Sequence, residues 1–429
     1  MRIPGVWRAK ESVGALRLFQ RCPVALPWFR YLRDAGPQGE LLRLVQALEC
    51  SRAVGPSRGK AVLVVFLWLI VSSREIALHL WRYRALGRTD PTAPGTARQL
   101  CQMVGALLGD NISPHSYYLF HLYRREHWVA RHRFLLIWQL QPVFVALDEA
   151  ERGALEVAND KLAFWQRCGT AGLPAVPVVA AARAGRLVEP FAGACPPALP
   201  PVDLVFKPVD EYGGHGIEFF FHQAASGHWS DGTRTLDAGG VLEHLCRRAQ
   251  PGGMVLQPRM ANHPTTEPLS NGFLVTLRVV TEWIPGQPPY LLAACCRMPS
   301  GDGRVANLSG APVLAAVDLE TGRLALAERP EPGSGLLECH PDSGQRIAGV
   351  ALPFWAEVCA LALRAHATFG PFPTVGWDIV LTPEGPLLLE FNTRWASSIL
   401  QLHGQPPLGL TRGPECYLAA YRRLCGAKA

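Results

Sequence analysis

The stretch VFKPVDEYGGHGIEFF (residues 205–220) ends an apolar run with Lys207 and then sets Gly213, Gly214 and Gly216 within four positions. Only five of the 42 Lys and Arg residues are lysines, so a lysine at a strand end suggests a need for a compact, mobile charge where arginine is the default. The glycines let the backbone pass through positive φ and bring bare N–H groups close to a ligand. Together they read as a phosphate cradle. A hairpin with a glycine turn and a solvated lysine is the alternative. GxxxxGK[ST] is absent and no GxGxxG opens a helix after a strand, which excludes a P-loop and a dinucleotide fingerprint.

A second constellation lies in TVGWDIVLTPEGPLLLEFNTRW (residues 374–395), which alternates on both sides of PEG and reads as a hairpin. If Thr382 faces Pro386, then Val380 faces Leu388, Asp378 faces Glu390, and Asn392 lies next to Glu390 on the same face. Opposed carboxylates repel, and beside an Asn amide oxygen they make sense around a cation. Three hard oxygen donors near a phosphate site describe Mg2+, or Mn2+ in its place. A solvated hairpin face in another register is the alternative. Arg278 and Arg297 sit in apolar strand runs upstream, with Asn307 in the loop that follows. Single strand arginines usually serve surfaces or ion pairs, but two on neighbouring strands read as clamps for a phosphoryl group in transfer.

These groups need a scaffold, and 429 residues with 48% hydrophobic and 18% charged content can build two or three packed units. Residues 1–140 carry 20 Lys and Arg against 8 Asp and Glu, a net of +12, and the remainder carries 22 against 27, a net of −5. A basic front suits an anionic membrane surface, nucleic acid or a polyanionic substrate, of which nucleic acid is not expected here. The pattern is helical from residue 11 to about 140, with SPHSYYLFHLYRREHWVARHRFLLIWQL reading as one long aromatic-rich helix capped by Ser113. Beyond it, short apolar strands alternate with Gly, Pro and Asp turns. Two further helices are expected, one capped by Asn159 or Asp160 and one running from Pro353 to Gly370. AVLVVFLWLIV (residues 61–71) would span about 16 Å as a helix against about 30 Å of hydrocarbon, too short to cross. It reads as a buried core helix that leaves anionic vesicles alone, with a helix lying in a bilayer surface as the alternative. The 12 cysteines show neither CxxC nor zinc spacing, and no secretory signal is evident, so a reduced, cytoplasmic protein is expected.

The order of these features resembles the ATP-grasp superfamily: a lysine opening a helix (Lys161), a lysine ending a strand (Lys207), a glycine-rich lid, VLQPRM as an adenine hinge, strand arginines and the set Asp378, Glu390 and Asn392. NHPTTEPLSNGFLVTLRVVT, TVGWDIVLTPEGPLLLEFN and ISPHSYYLFHL resemble the sugar-transfer-associated ATP-grasp group, alpha-L-glutamate ligase-like, over roughly residues 110–410. The resemblance implies an α+β fold in which two subdomains clamp ATP behind a helical front. Its expected units are a basic module (1–140), a lid-bearing subdomain (141–256) and a metal-bearing subdomain (257–429). It implies Lys161 and Lys207 on the α- and β-phosphates, the amides of Gly213, Gly214 and Gly216 over the β/γ region, and Asn307 at the nucleotide. Gln257 would meet adenine through its side chain. Pro258 has no N–H, so the backbone contact would come from Arg259 or Met260. Mg2+ would sit on Asp378, Glu390 and Asn392, with Arg278, Arg297 and Lys207 acting on the transferred group. EFN stands where EGN is commoner, which would leave less room beside the metal. His215, His263, His340 and Arg394 are weaker candidates for contacts. The implied reaction is ATP-dependent joining of a carboxylate to an amine through an acyl phosphate, on an envelope-glycan, peptide-like or secondary-metabolite precursor. A kinase acting on a sugar or lipid hydroxyl and a nucleotide-binding accessory protein of glycan assembly remain as alternatives.

Overall fold

The computed structural model describes residues 29–53, 57–193, 197–210, 216–250, 252–303 and 312–426. Gly213, Gly214, His215 and Asn307 lie outside the described residues. The fold is α+β, with two antiparallel sheets behind a helical front. The first sheet comprises β1 (Ala180–Arg183), β2 (Arg186–Leu187), β3 (Leu204–Pro208), β4 (Glu218–Gln223), β5 (His228–Ser230), β6 (Thr235–Leu236) and β7 (Gly253–Pro258), in the order β2-β1-β7-β3-β4-β5-β6. The second comprises β8 (Thr276–Glu282), β9 (Tyr290–Met298), β10 (Val313–Val317), β11 (Leu324–Glu328), β12 (Thr374–Thr382) and β13 (Gly385–Asn392), in the order β11-β10-β9-β8-β12-β13.

The helices used below are α1 (Pro37–Ala53), α2 (Arg58–Arg82), α3 (Thr96–Asp110), α4 (Pro114–Leu119), α5 (Ile137–Ala150), α6 (Lys161–Thr170), α7 (Ala238–Arg248), α8 (Trp355–Phe369) and α9 (Gly413–Gly426). Strand periodicity divides the second sheet between two cores. Leu277 and Val279 join Val358, Leu361 and Ala365 of α8 on one face. Val280, Cys295 and Leu314 join the front helices on the other. Arg278 shares the parity of Val280, so the basic front packs on the same sheet face that carries the strand arginines. The first sheet has its own core, where Leu204, Phe206 and Leu256 meet Val241 and Leu245 of α7.

Three expectations need correction. The boundaries at 140/141 and 256/257 fall inside α5 and β7, because both elements pack across them: α5 against α1 and α9, and β7 between β1 and β3. The long aromatic helix is broken. Ser113 caps α4 with Pro114 in its first turn, but α4 ends at Leu119 and His121 takes a φ of 49°. Tyr117, Tyr118, His121 and Tyr123 are all buried, and one straight helix cannot bury a ring on every side. His121 turns to set its Nε2 2.6 Å from Oε2 of Glu328 on β11. Finally, the apolar segment at 61–71 is the first part of the longer helix α2. It exposes Val62, Leu63, Phe66, Leu67, Leu69 and Ile70 by between 41 and 70% while Trp68 is buried.

Candidate active site

The first group of site residues comes from α6 and the first sheet. Asp160 caps α6 by accepting from the amides of Leu162 and Ala163, each at 3.0 Å. The Lys161 amide donates to Val209 O at 3.2 Å, which ties the helix start to the chain just past β3. Nζ of Lys161 comes within 3.7 Å of Oε1 of Glu390. Lys207 lies near the end of β3. Val205 pairs with Gln257 and Lys207 with Val255, so Lys207 and Gln257 project from one face of neighbouring strands. Burial pushes the Lys207 ammonium down to about 8, with Glu390 and Asp378 holding it up and Lys161 pressing it lower. Gly216, where the described chain resumes, has a φ of +72°, and a Cβ there would lie 2.9 Å from Pro208 Cγ. Glycine is therefore required on both conformational and steric grounds.

The second group is a row across the second sheet: Cys295, Arg278, Asp378 and Glu390 are successive partners on β9, β8, β12 and β13. The expected opposition of Asp378 and Glu390 is present, but the register leading to it differs. Thr382 pairs with Gly385 and Val380 with Leu387, one residue away from the alternation across PEG. A bulge at Leu389 then inserts an unpaired residue and restores the facing pair. The same bulge lets Leu388 and Phe391, three residues apart, both enter the core. Phe391 is thus turned away from the carboxylates, against Phe369, Phe372 and Trp377, and takes no room from their side of the sheet.

Asp378 is buried and held by both arginines. Arg278 donates from Nε to Oδ1 at 2.6 Å and from Nη2 to Oδ2 at 3.2 Å, and Nη2 of Arg297 lies 2.7 Å from Oδ2. Burial alone would push the Asp378 carboxyl up, but Arg278 and Arg297 hold it below the usual carboxylate range. Among the described residues, four cations (Lys161, Lys207, Arg278, Arg297) against two carboxylates (Asp378, Glu390) leave an excess of two positive charges. Such a cleft attracts a polyanion.

Several supporting residues carry no motif of their own. Thr276 accepts from Nε of Arg297 at 3.0 Å, and the Trp395 carbonyl accepts from Nη1 of Arg278 at 3.0 Å. Trp395 in turn donates from Nε1 to Thr374 Oγ1 at 2.9 Å. Gly376 is required beneath them, since a Cβ there would lie 2.4 Å from Trp395 Cβ and 3.0 Å from Arg278 Cδ. An isolated glycine inside a strand pattern is the one sequence signal for this close approach.

Other candidates are placed elsewhere. The Arg259 amide donates to Asp203 O at 2.7 Å and its guanidinium reaches Asp203 and Gly272, so Arg259 is a tie beside the end of β7 and its amide is already engaged. His340 is buried, and its Nε2 lies 3.1 Å from Pro299 O. His263 accepts from the Thr265 amide at 3.0 Å and meets Phe354 edge-on, while Arg394 is exposed. The cysteines among the described residues are free, and burial pushes the Cys295 thiol up to about 11, so it offers no nucleophile.

The family described as sugar-transfer associated ATP-grasp matches residues 148–411. The chain belongs to this family. No curated protein matches the chain. Among solved structures it is similar to an L-amino acid ligase from Bacillus licheniformis, at 13% identity and a TM-score of 0.33, covering 57% of this chain and 42% of that one. It is also similar to the D-cycloserine synthetase DcsG, at 17% identity and a TM-score of 0.34, covering 63% and 71%. A third likeness is to the VanG D-Ala:D-Ser ligase from Enterococcus faecalis, at 11% and 0.35, covering 62% and 63%. The chain thus spans 42% of the first relative's length, and neither its substrate nor its reaction is read from these likenesses.

The residues of this ATP-grasp chain fit a magnesium ion that takes most of its shell from phosphate and water. Among the described residues no three His, Cys, Asp or Glu side chains converge as a cage. Two carboxylates face each other, however, with the half-buried Asn392 two residues along from Glu390 on the same strand. A small hard cation bound through one or two carboxylates and nucleotide oxygens needs no more from the protein.

Proposed function

We propose that the chain is a carboxylate–amine ligase that spends ATP to form an amide through an acyl phosphate. Its substrate would be a glycan, peptide-like or other small precursor bearing a free carboxylate. The observation that carries this reading is the convergence of a lysine from α6, a lysine from the first sheet and two arginines from the second on a single pair of carboxylates, with positive charge in excess. Lys161 and Lys207 neutralise the α- and β-phosphates. The glycine segment around Gly213, Gly214 and Gly216 covers the β/γ region, with Asn307 near the nucleotide. Gln257 and the Met260 amide hold the adenine. Asp378, Glu390 and Asn392 hold Mg2+, which when bound offsets phosphate charge. Arg278 and Arg297 are kept rigid by Asp378, Thr276 and Trp395 and meet the charge that develops on the moving phosphoryl group.

In the first half-reaction a substrate carboxylate oxygen attacks the γ-phosphorus, the bond from that phosphorus to the β-bridging oxygen breaks, and ADP leaves. In the second the amine nitrogen attacks the acyl carbon, the carbon–oxygen bond to phosphate breaks, and the amine proton passes to solvent. An acyl phosphate is trapped by hydroxylamine. N-acetylated amino acids, uronic acids and N-acetylated short peptides, each supplied with MgATP and hydroxylamine but no other amine, should include one that yields a hydroxamate with one ADP for each. A stable phosphorylated product that resists hydroxylamine would replace this reading with phosphotransfer to a hydroxyl.

A further inference from the structure

Helix α2 has two unlike sides. Its inward stripe is fixed to the body: Nε1 of Trp68 donates to Oδ1 of Asn111 at 3.2 Å, its ring meets Phe29 edge-on, Ile76 is buried and His79 stacks on Tyr118. By length and composition the stretch Gly59–Arg88 could cross a membrane. A helix tied down along one side, however, cannot leave the protein to do so. Its outward stripe begins with the apolar run that includes Phe66 (60% exposed) and Ile70 (52% exposed), and continues through exposed Arg74 to Trp81 and Arg82. Arg84 lies over the Trp81 ring at 5.0 Å. Residues 58–88 hold six Lys and Arg against one Glu.

Single exposed apolar residues need no explanation, but a contiguous strip of them does. An apolar strip, a basic rim and a tryptophan at the boundary describe a helix lying in a bilayer interface, with acyl chains against the strip and anionic headgroups at the cations. A second copy docked on the same face would set one cation-rich helix, with Lys60, Arg74 and Arg82, against another of the same charge. Anionic lipid complements them instead. We propose that the outward face of α2 docks the protein onto the surface of an anionic bilayer, with the helix in the membrane plane and not across it. This surface is separate from the cleft and does not depend on the reaction proposed for it.

The test is co-sedimentation of the full chain with vesicles of phosphatidylcholine alone and with one quarter phosphatidylglycerol. Binding is expected to the anionic vesicles, to weaken with added salt, and to persist in part at high salt because the apolar contribution is not screened. The double variant Phe66→Glu, Ile70→Glu should keep the wild-type melting temperature, since both positions are exposed, and lose about tenfold or more of its partitioning. Absence of binding, equal binding to neutral vesicles, or binding that the double variant retains would each overturn the proposal. So would a concentration-dependent dimer, abolished by the same two substitutions, in a protein that ignores vesicles.

Discussion

Every titratable substitution in the cleft changes a charge count before it changes a shape. Glu390→Gln is nearly isosteric, and it should leave the melting temperature close to wild type while abolishing Mg2+-dependent ATP turnover; full turnover would remove Glu390 from the metal set. Lys207 gives a more particular signature, because burial already lowers its ammonium to about 8. Phosphate favours the charged form, so at a pH near that value ATP binding should draw in about half a proton, readable by calorimetry in buffers of different ionisation enthalpy. ATP affinity should then fall as pH rises through about 8. Lys207→Met should abolish the uptake and weaken ATP by about tenfold or more. Asp378→Asn leaves two buried guanidinium groups facing each other without their carboxylate. That should cost about 3 kcal/mol or more of stability. Millimolar phosphate should recover more of the melting temperature in this variant than in wild type; equal shifts would mean that the arginines do not face an anion site.

At the scale of elements, what could be read beforehand was what local chemistry decides. The cap at Asp160, the proline and serine that open α4, the helix closed by Gly370 and the facing of Asp378 on Glu390 all follow from short-range rules. The last was reached through a pairing one residue out at the turn, because a bulge leaves no mark in an alternating pattern such as PLLLEFN. The break at His121 was hidden for the opposite reason. Helical spacing is satisfied throughout that stretch, and only the partner on β11, some two hundred residues away, decides that the histidine must turn. For α2 the sequence is apolar around most of the helix, so periodicity cannot say which side is covered. Likewise, nothing local shows that the Arg259 amide is already bonded to Asp203, although the missing N–H of Pro258 is plain.

For the molecule as a whole, the distribution of buried acids shapes its response to pH. Glu282 is fully buried with an unpartnered Oε1, and burial pushes its carboxyl from 4.5 up to about 7 despite contacts to Tyr290 and Cys416. The folded state therefore holds this proton more tightly than the unfolded chain, so the contribution to stability falls as pH rises through that window. Half-buried His115 and buried His366, both lowered to about 4, act in the opposite sense over an overlapping range. The informative quantity is the difference in melting temperature between Glu282→Gln and wild type, which should grow in favour of the variant between pH 4.5 and about 7 and then level off. A flat difference would show that Glu282 is ionised throughout.

The front helices cover the sheet face that bears Arg278, and Gln401 clasps both the amide and the carbonyl of Leu135 at 2.9 and 2.8 Å. It follows that the span recognisable as ATP-grasp is not a portable unit. Severed at residues 148 and 411, it would present Val280, Leu292, Cys295, Leu314 and Leu400 to water as one sticky plane, and it should be recovered only as insoluble protein. Supplying residues 1–147 and 412–429 as separate chains in the same cell should return it to the soluble fraction. Inheritance of the motifs of the cleft would then have been bound, throughout, to inheritance of a helical front that carries none of them.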